Sequence, residues 1–192
     1  MVGDLLYDLL AKVDGDVALG TDTFTRIRAV AGGSGANAAA WLASSGVETH
    51  FIGRVGDDAF GKFLIVEMES AGVGAHLVRD PSLATGKVFV LVDGVGERTM
   101  ITDRGASENL SPEDLPDTLL SEGHLHLSGY TFSGGSRRET AREALRLAGE
   151  SGMTVSVDPS SVPLLRDVGP GASSGGLVAL TCASRTSKRA RC

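Results

Sequence analysis

The sequence contains few of the residues that mark special environments. Its 192 residues include only two cysteines, Cys182 and Cys192, and aromatic residues make up 5% of the chain. Two cysteines with no secretory context and no second pair of ligands predict neither a disulfide framework nor a metal site. We therefore assign no function to them.

Long apolar runs are also absent. No stretch approaches the roughly 18 continuous apolar residues that cross a bilayer, and residues 1–14 lack the basic start and cleavage site of a signal peptide. The net charge of −6 gives no general attraction to phosphate backbones or anionic lipid. These absences predict a cytoplasmic protein whose partner is a small neutral or polar molecule, with no nucleic acid and no membrane involved.

The body of the chain alternates β-rich runs with helical patterns. Asp57 is expected to cap the second helix, and the Ser136–Glu139 spacing predicts a capping box for the third. Strands that alternate with helices predict a parallel α/β sheet with helices covering it. The predicted strands are residues 26–30, 48–55, 87–92, 98–102, 124–127 and 154–157, and the predicted helices are residues 37–45, 57–71 and 136–148.

One pair of strands does not fit this alternation. Residues 87–92 and 98–102 alternate in polarity and flank the turn sequence D-G-V-G at 93–96, which predicts a β-hairpin. We expect the hairpin to form part of an antiparallel appendage, together with residues 17–30, that projects from the main sheet.

The strongest local signal is the sequence A-G-G-S-G-A-N-A-A at residues 31–39. Glycines allow positive φ and let a ligand approach main-chain N–H groups, and the following helix directs its positive end to the same place. The alternative explanation is a tight strand-to-helix turn that needs glycine only for its geometry. The loop alone does not decide between them.

A dinucleotide-binding fingerprint competes for the same residues, because Gly33, Gly35 and Ala38 have its spacing. That fingerprint requires an acidic residue about 20 positions further on, at the end of the second strand. The window holds Ile52 to Val55, with Glu48 too early and Asp57 after the turn. A nicotinamide cofactor is therefore not supported.

Residues 32–39, followed by six residues to Gly46 and nine more to Gly56, meet every specified position of another pattern. That pattern is the first signature of the PfkB-type carbohydrate kinases, the ribokinase family, which the chain resembles over about residues 1–171. Further stretches similar to the family are residues 3–8, 53–58, 86, 103–106 and 155–159.

The resemblance implies a ribokinase-like Rossmann-type parallel sheet with a small antiparallel β lid, formed by segments of about 13–30 and 84–103. It implies an ATP-dependent kinase that phosphorylates a hydroxyl of a sugar, nucleoside or similar polyol, with Mg²⁺ as cofactor. In many members of the family the lid also forms a homodimer interface.

The same resemblance places substrate-binding residues in this half of the enzyme. Asp8 matches an early aspartate that accepts hydrogen bonds from sugar hydroxyls, a task suited to the two oxygens of a carboxylate. Asn37 and the backbone of Gly33, Ser34 and Gly35 are expected to hold further hydroxyls. The competing explanations are that Asp8 is a solvated surface acid and that Asn37 only caps the helix.

Three other side chains have ordinary structural explanations. His124 and His126 lie two residues apart on a predicted strand, but without a carboxylate or cysteine partner they form an incomplete metal site. Arg98 is in position to contact an anionic substrate, although an exposed hairpin arginine explains it as well. We predict no metal site.

Two parts of the family pattern are absent from the 192 residues. The second signature, approximately D-T-x-G-A-G-D, carries the catalytic base and the anion hole, and a P-N-x-x-E element is associated with magnesium and phosphate. Phosphoryl transfer depends on positioning and electrostatic stabilisation, so their loss predicts a chain that is inactive alone. We therefore assign no catalytic residue and expect this chain not to bind ATP.

The end of the chain differs in composition from the rest. No acidic residue follows Asp167, whereas four arginines and lysines occupy the last eight positions and leave 14 basic and 24 acidic residues before them. Codons shifted by one base after Ala172 permit the sequence A-D-V-R-F-P-N-L-E-E-G-A, which contains P-N-x-x-E. We hypothesise a frameshifted tail at residues 172–192; the alternative is a genuine basic tail, and the nucleotide sequence decides between them.

Three functional hypotheses follow from these patterns. The first is the substrate-binding half of a carbohydrate kinase. The second is a non-catalytic sugar-binding or dimerising module that works without ATP. The third is a dinucleotide-binding domain, which tight NAD binding without any response to sugars would support.

Overall fold

A computed structural model describes residues 1–161 of the chain. The predicted aberrant tail and both cysteines lie outside the described residues. The strands are β1 (Leu6–Lys12), β2 (Ile27–Gly32), β3 (His50–Gly56), β4 (Gly74–Asp80), β5 (Thr85–Val92), β6 (Arg98–Gly105), β7 (His124–Ser128) and β8 (Thr154–Asp158), and the α-helices are α1 (Ser34–Ser44), α2 (Ala59–Ser70) and α3 (Gly135–Glu150).

The main sheet is parallel and has the first residues of the chain at its centre. β3 pairs with β4, and β7 pairs with β8, in both cases in parallel. Val2 bridges the two pairs, because it lies beside Ile52 of β3 and Leu127 of β7. The backbone of Val2 donates to His126 O at 2.9 Å and accepts from Ser128 N at 3.0 Å. The predicted parallel sheet is thus confirmed.

Helices cover both faces of this sheet, because successive side chains of a strand point to opposite faces. Phe51 and Val55 of β3 are fully buried in a cluster with Ala39 of α1 and Leu64 of α2. Ile52 points the other way, into a second cluster that includes Leu127 and the small residues Ala144 and Ala148 of α3. The apolar positions predicted for the third helix therefore face the sheet.

A second sheet has the strand order β2-β1-β5-β6. β1 is antiparallel to β2 and parallel to β5, and β5 is antiparallel to β6. The predicted hairpin is present, but the sheet is mixed rather than purely antiparallel, because β1 and β5 run in the same direction. Of the predicted segment 13–30, only the end contributes a strand, at Ile27.

The start of each later helix differs from the predicted cap. Asp58, one residue after the predicted Asp57, caps α2 by accepting from Gly61 N at 2.8 Å, and it also accepts from Thr85. The capping box predicted at Ser136 is wrong: α3 begins at Gly135, and the Ser136 hydroxyl instead donates to Glu108 O at 3.2 Å. Within residues 1–161, no helix is long and apolar enough to span a membrane.

Candidate functional site

The glycine loop packs against the carboxyl ends of the main-sheet strands. After Val2 the chain leaves this sheet through Gly3 and Asp4 and enters β1 of the second sheet. Gly3 lies so close to Gly35 of the loop that an added Cβ would be 3.4 Å from the Gly35 Cα and 3.1 Å from the Ser128 side chain. The Ser34 and Ser128 hydroxyl oxygens are 2.7 Å apart, which joins the loop to the end of β7.

Gly33 occupies the N-cap of α1 and requires glycine for two reasons. Its φ of 102° and ψ of 133° lie in a region that residues with a side chain rarely adopt. In addition, a Cβ at this position would overlap the carbonyl oxygen of Asp4. No side chain caps α1, so the backbone amides of its first turn stay available to a ligand.

Asp8 lies on β1 beside the same loop. Its register partners are Val30 of β2 and Val88 of β5, and its carboxyl group covers Gly32 so closely that any Cβ there would overlap it. The carboxylate is half-buried, and its Oδ1 has no hydrogen-bond partner among the described residues. Burial raises the pKa of Asp8 to about 6, and the positive charge of Arg98 opposes this shift.

Asp8 and Arg104 lie on the same face of the second sheet. Thr102 on β6 shares the row of Asp8 and Val88, so Arg104, two residues later, lies on that face. Arg104 pairs with Asp4, and its guanidinium stacks 4.5 Å from the centre of the Tyr130 ring, just after β7. Arg104 therefore connects the Asp8 face of the second sheet to the carboxyl end of β7.

A buried ionic cluster surrounds Asp4, whose carbonyl oxygen lies against Gly33. Asp4, which is 3% exposed, pairs with Arg104, and the buried Arg137 of α3 donates to Glu108 at 2.7 Å. Burial raises the pKa of Asp4, while the charges of Arg104 and Arg137 oppose the rise. Asp4 Oδ1 and the Nε and Nη1 groups of Arg137 have no hydrogen-bond partner among the described residues. Unpaired buried polar atoms are costly, and a polar ligand or ordered water would satisfy them.

Asn37 is separated from this arrangement. It is an exposed residue inside α1, where its backbone N–H donates to Gly33 O at 2.9 Å. Asn37 therefore does not cap the helix. Its side chain borders an open cleft of about 200 Å³ between α1, α2 and β2, which is also lined by Val30 and Met68. Asp8 does not line this cleft, and the contact of Asn37 with a substrate hydroxyl stays a prediction.

The two histidines of β7 form hydrogen bonds with hydroxyl groups. His124 approaches Thr154 and Ser156, each at 2.7 Å, and His126 approaches Ser156 at 2.8 Å. Within residues 1–161, no group of three or more histidine, cysteine, aspartate or glutamate residues is arranged to hold a metal ion.

Reasoning from sequence missed the ionic cluster. Asp4 and Arg104 both occur in stretches similar to the family, but nothing in their spacing indicates a pair separated by 100 positions. Arg137 lies within the apparent capping box and looks like an ordinary helix-surface residue. The available signal was a lone acid in an apolar segment, since a buried charge requires a partner.

Solved structures with the same architecture are kinases of the ribokinase-like fold, which confirms the predicted fold class. The chain is 29% identical to a fructokinase from Xylella fastidiosa, with a TM-score of 0.73. The match covers 85% of this chain and 52% of the fructokinase chain. A probable sugar kinase from Rhizobium etli is 22% identical with a TM-score of 0.78, over 86% of this chain and 56% of the other, and supports the fold alone.

The chain belongs to the pfkB family of carbohydrate kinases, whose model matches residues 1–173. It is 35% identical over 157 residues to an ATP-dependent ribose-1-phosphate kinase from Halopiger xanaduensis, covering 81% of this chain and 49% of the relative. A Klebsiella pneumoniae fructokinase is 34% identical over 163 residues, covering 83% and 50%. The chain spans about half the length of the curated relatives it matches, and the predicted family is confirmed.

Proposed function

We propose that this chain is the substrate-binding half of an ATP-dependent kinase that phosphorylates a hydroxyl of a sugar, nucleoside or similar polyol. The observation that carries the proposal is the buried Oδ1 of the half-buried Asp8, which lies against Gly32 and has no hydrogen-bond partner among the described residues. A carboxylate in this position can accept hydrogen bonds from substrate hydroxyls. Relatives that match the same residues include fructokinases and a ribose-1-phosphate kinase.

The glycine loop would provide the other side of the pocket. Gly33, Ser34 and Gly35 present backbone amides at the start of α1, close to the point where Asp8 covers Gly32. In this proposal Asp8 accepts from one or two hydroxyls, the amides donate to others, and Asn37 contributes an amide from α1. The second sheet would act as the lid, because it carries Asp8 and its strand β2 ends at the glycine loop.

Phosphoryl transfer itself is not assigned to residues of this chain. The residues present do not fit ATP and Mg²⁺: the second signature is absent from the sequence, and residues 1–161 offer no cluster of three potential metal ligands. A fructokinase of this fold has been solved with ATP bound. We propose that the complete family architecture uses ATP and Mg²⁺ and that this chain alone binds neither and is inactive.

The outer face of the second sheet supports a homodimer through the lid. Leu9, Phe89 and Ile101 lie side by side in register on the face opposite Asp8, and Phe89 and Ile101 are 50% and 63% exposed. A contiguous exposed apolar face of this kind is typical of a protein interface. We propose a cytoplasmic protein whose partners are a small sugar or nucleoside and a second copy of the chain.

Calorimetric titration with fructose, ribose, ribose 1-phosphate and adenosine, with and without ATP-Mg²⁺, tests this function. Sugar or nucleoside binding that ATP leaves unchanged is the expected result. Binding of that kind by a full-length relative that nonetheless lacks kinase activity would favour the alternative, a non-catalytic sugar-binding module. Tight NAD binding without a response to any sugar would favour a dinucleotide-binding domain instead.

Replacing Asp8 by asparagine should weaken binding of the sugar that titrates best by roughly 10- to 100-fold, because hydrogen bonds to a charged group contribute about 1.5–3 kcal/mol. The matched control is Asp22→Asn, which removes one negative charge from an exposed position. Equal dissociation constants for Asp8→Asn and the wild type would exclude Asp8 from the pocket.

The pH dependence of binding provides a second prediction. With a pKa of about 6, Asp8 is ionised at pH 7.5 and mostly protonated at pH 5, where it loses acceptor capacity. Wild-type affinity should therefore fall as the pH is lowered through 6, and Asp8→Asn should not show this fall. Parallel pH profiles for the two proteins, measured by the same titration, would contradict the assignment.

A further inference from the structure

A pair of histidines lies at the amino ends of the main-sheet strands, and the proposed kinase site does not use it. His50 begins β3 and His76 lies on β4, and their Nδ1 and Nε2 atoms are 3.1 Å apart. This is the amino end of the parallel strands, whereas Asp8 and the glycine loop lie at the carboxyl end. A role for this pair is therefore independent of the substrate site.

The local sequence brings the two rings together. His50 is the register partner of Gly74, so His76, two residues further along β4, lies on the same face. A Cβ on Gly74 would overlap the His50 Nδ1 atom. The glycine thus leaves the space in which the His50 ring turns toward His76.

Glu48 sets the orientation of the first ring. Its Oε1 lies 3.4 Å from His50 Nε2, the nitrogen that faces away from His76. A carboxylate at this position favours the tautomer with the proton on Nε2, which makes Nδ1 the acceptor of the hydrogen bond from His76 Nε2. A bound metal ion would displace the proton of that hydrogen bond. Histidines that bind metal ions ordinarily donate their second N–H to a carboxylate or carbonyl in this way.

The distance between the two nitrogens fits a shared metal ion. Zinc–nitrogen bonds are about 2.0–2.1 Å long, so two nitrogens 3.1 Å apart subtend an angle of about 100° at the metal. That angle lies between the octahedral and tetrahedral values.

We propose that His50 and His76 form a binding site for a divalent transition metal such as Zn²⁺, with Glu48 supporting His50 and water completing the coordination. Two imidazole ligands select zinc, nickel or copper rather than the oxygen-preferring Mg²⁺. The His50 side chain is 39% exposed, so an ion can reach the pair from solvent. The pair links two neighbouring strands, and a bound metal would stabilise the folded chain.

The chain contains a matched control in its other two histidines. The ring nitrogens of His124 and His126 already approach the hydroxyls of Thr154 and Ser156. The double variant His124→Asn/His126→Asn removes two imidazoles without changing the proposed site. Because cysteine thiolates are zinc ligands, Cys182 and Cys192 must be alkylated in every sample.

The test is calorimetric titration of the alkylated full chain with ZnCl₂ in a buffer that does not chelate metals. We expect one Zn²⁺ per chain, an affinity at least tenfold lower for His50→Asn and for His76→Asn, and no change for His124→Asn/His126→Asn. Glu48→Gln should weaken binding by a smaller factor. Zinc should also raise the melting temperature of the wild type, and EDTA should reverse that increase.

Three results would overturn the proposal: no saturable zinc binding by the wild type, unchanged affinity in both single variants, or an equal loss in the control variant. If one single variant fails to fold, as judged by circular dichroism, the other and Glu48→Gln still decide the question. Sugar binding is measured on the same samples and should be unaffected. Failure of the metal site therefore remains distinguishable from failure of the proposed kinase function.

Discussion

Gly33→Ala should remove most of the stability of the chain and abolish sugar binding. The substitution forces a side chain into a backbone conformation with φ of 102° and pushes its Cβ into the Asp4 carbonyl oxygen. Strain and overpacking each cost about 1–3 kcal/mol, so we expect a loss of roughly 2–6 kcal/mol. Total stabilities are typically about 5–15 kcal/mol. Urea unfolding monitored by circular dichroism measures the loss.

Gly46→Ala separates the two contributions. Gly46 also has a positive φ, of 82°, but no atom lies within 4 Å of the Cβ that alanine would add. It should cost only the backbone strain, about 1–2 kcal/mol, and leave sugar binding intact. If the two variants unfold at the same urea concentration, the close approach of Asp4 to the loop is not what fixes glycine at position 33.

Periodicity predicted most of the main layer from the sequence. The helix that became α3 and the alternating residues of β7 were found in this way, and the buried residues of both pack in the same cluster. β1 and β4 were missed. β1 has the sequence L-Y-D-L-L-A-K, and β4 contains glycine and histidine at partly buried positions and an exposed arginine, so neither strand shows a clean alternation.

The candidate site was predicted only in part, for a different physical reason. The glycine loop is a local motif, so its sequence specifies its backbone, and Asp8 is found through its resemblance to the family. The pairing of Asp4 with Arg104 and the approach of Arg137 depend on how three distant segments pack. Sequence spacing carries no information about such contacts, and an exposed arginine and a buried one look the same in the sequence.

Asp80→Asn should produce the largest loss of stability from a single charged residue. Asp80 is 1% exposed and lies at the end of β4, where its Oδ2 accepts from Arg54 Nε at 3.0 Å and from Asn109 at 2.8 Å. Its Oδ1 accepts from the Ser82 amide and hydroxyl and from the Leu83 amide. In Asp80→Asn, an NH₂ group replaces one of the two carboxylate oxygens. This new donor faces N–H and O–H groups that previously donated to the oxygen. Removing one partner of a buried pair costs about 3–5 kcal/mol.

The control is Asp57→Asn. Asp57 faces Arg79 at 3.8 Å on the surface, with both side chains more than half exposed, and such pairs contribute about 0–1 kcal/mol. A loss for Asp80→Asn no greater than for Asp57→Asn, measured by urea unfolding at pH 7, would mean that the network among β3, β4 and the segment after β6 does not hold the fold together.

Acid should reveal the same network. Burial alone would raise the pKa of Asp80, but hydrogen bonds from Ser82, Asn109 and the Leu83 amide overcome this and hold the pKa well below its usual range. The unfolded chain therefore binds a proton at a higher pH than the folded one, so this stabilisation is complete above the unfolded pKa of about 3.9 and is lost as the pH falls below it. The wild type should lose this contribution progressively as the pH falls from about 4 toward the lowered pKa of the folded state. Asp80→Asn has no carboxyl group at this position, so the difference in unfolding free energy between the two proteins should shrink over that interval, and a constant difference would show that Asp80 is not the ionised partner of Arg54.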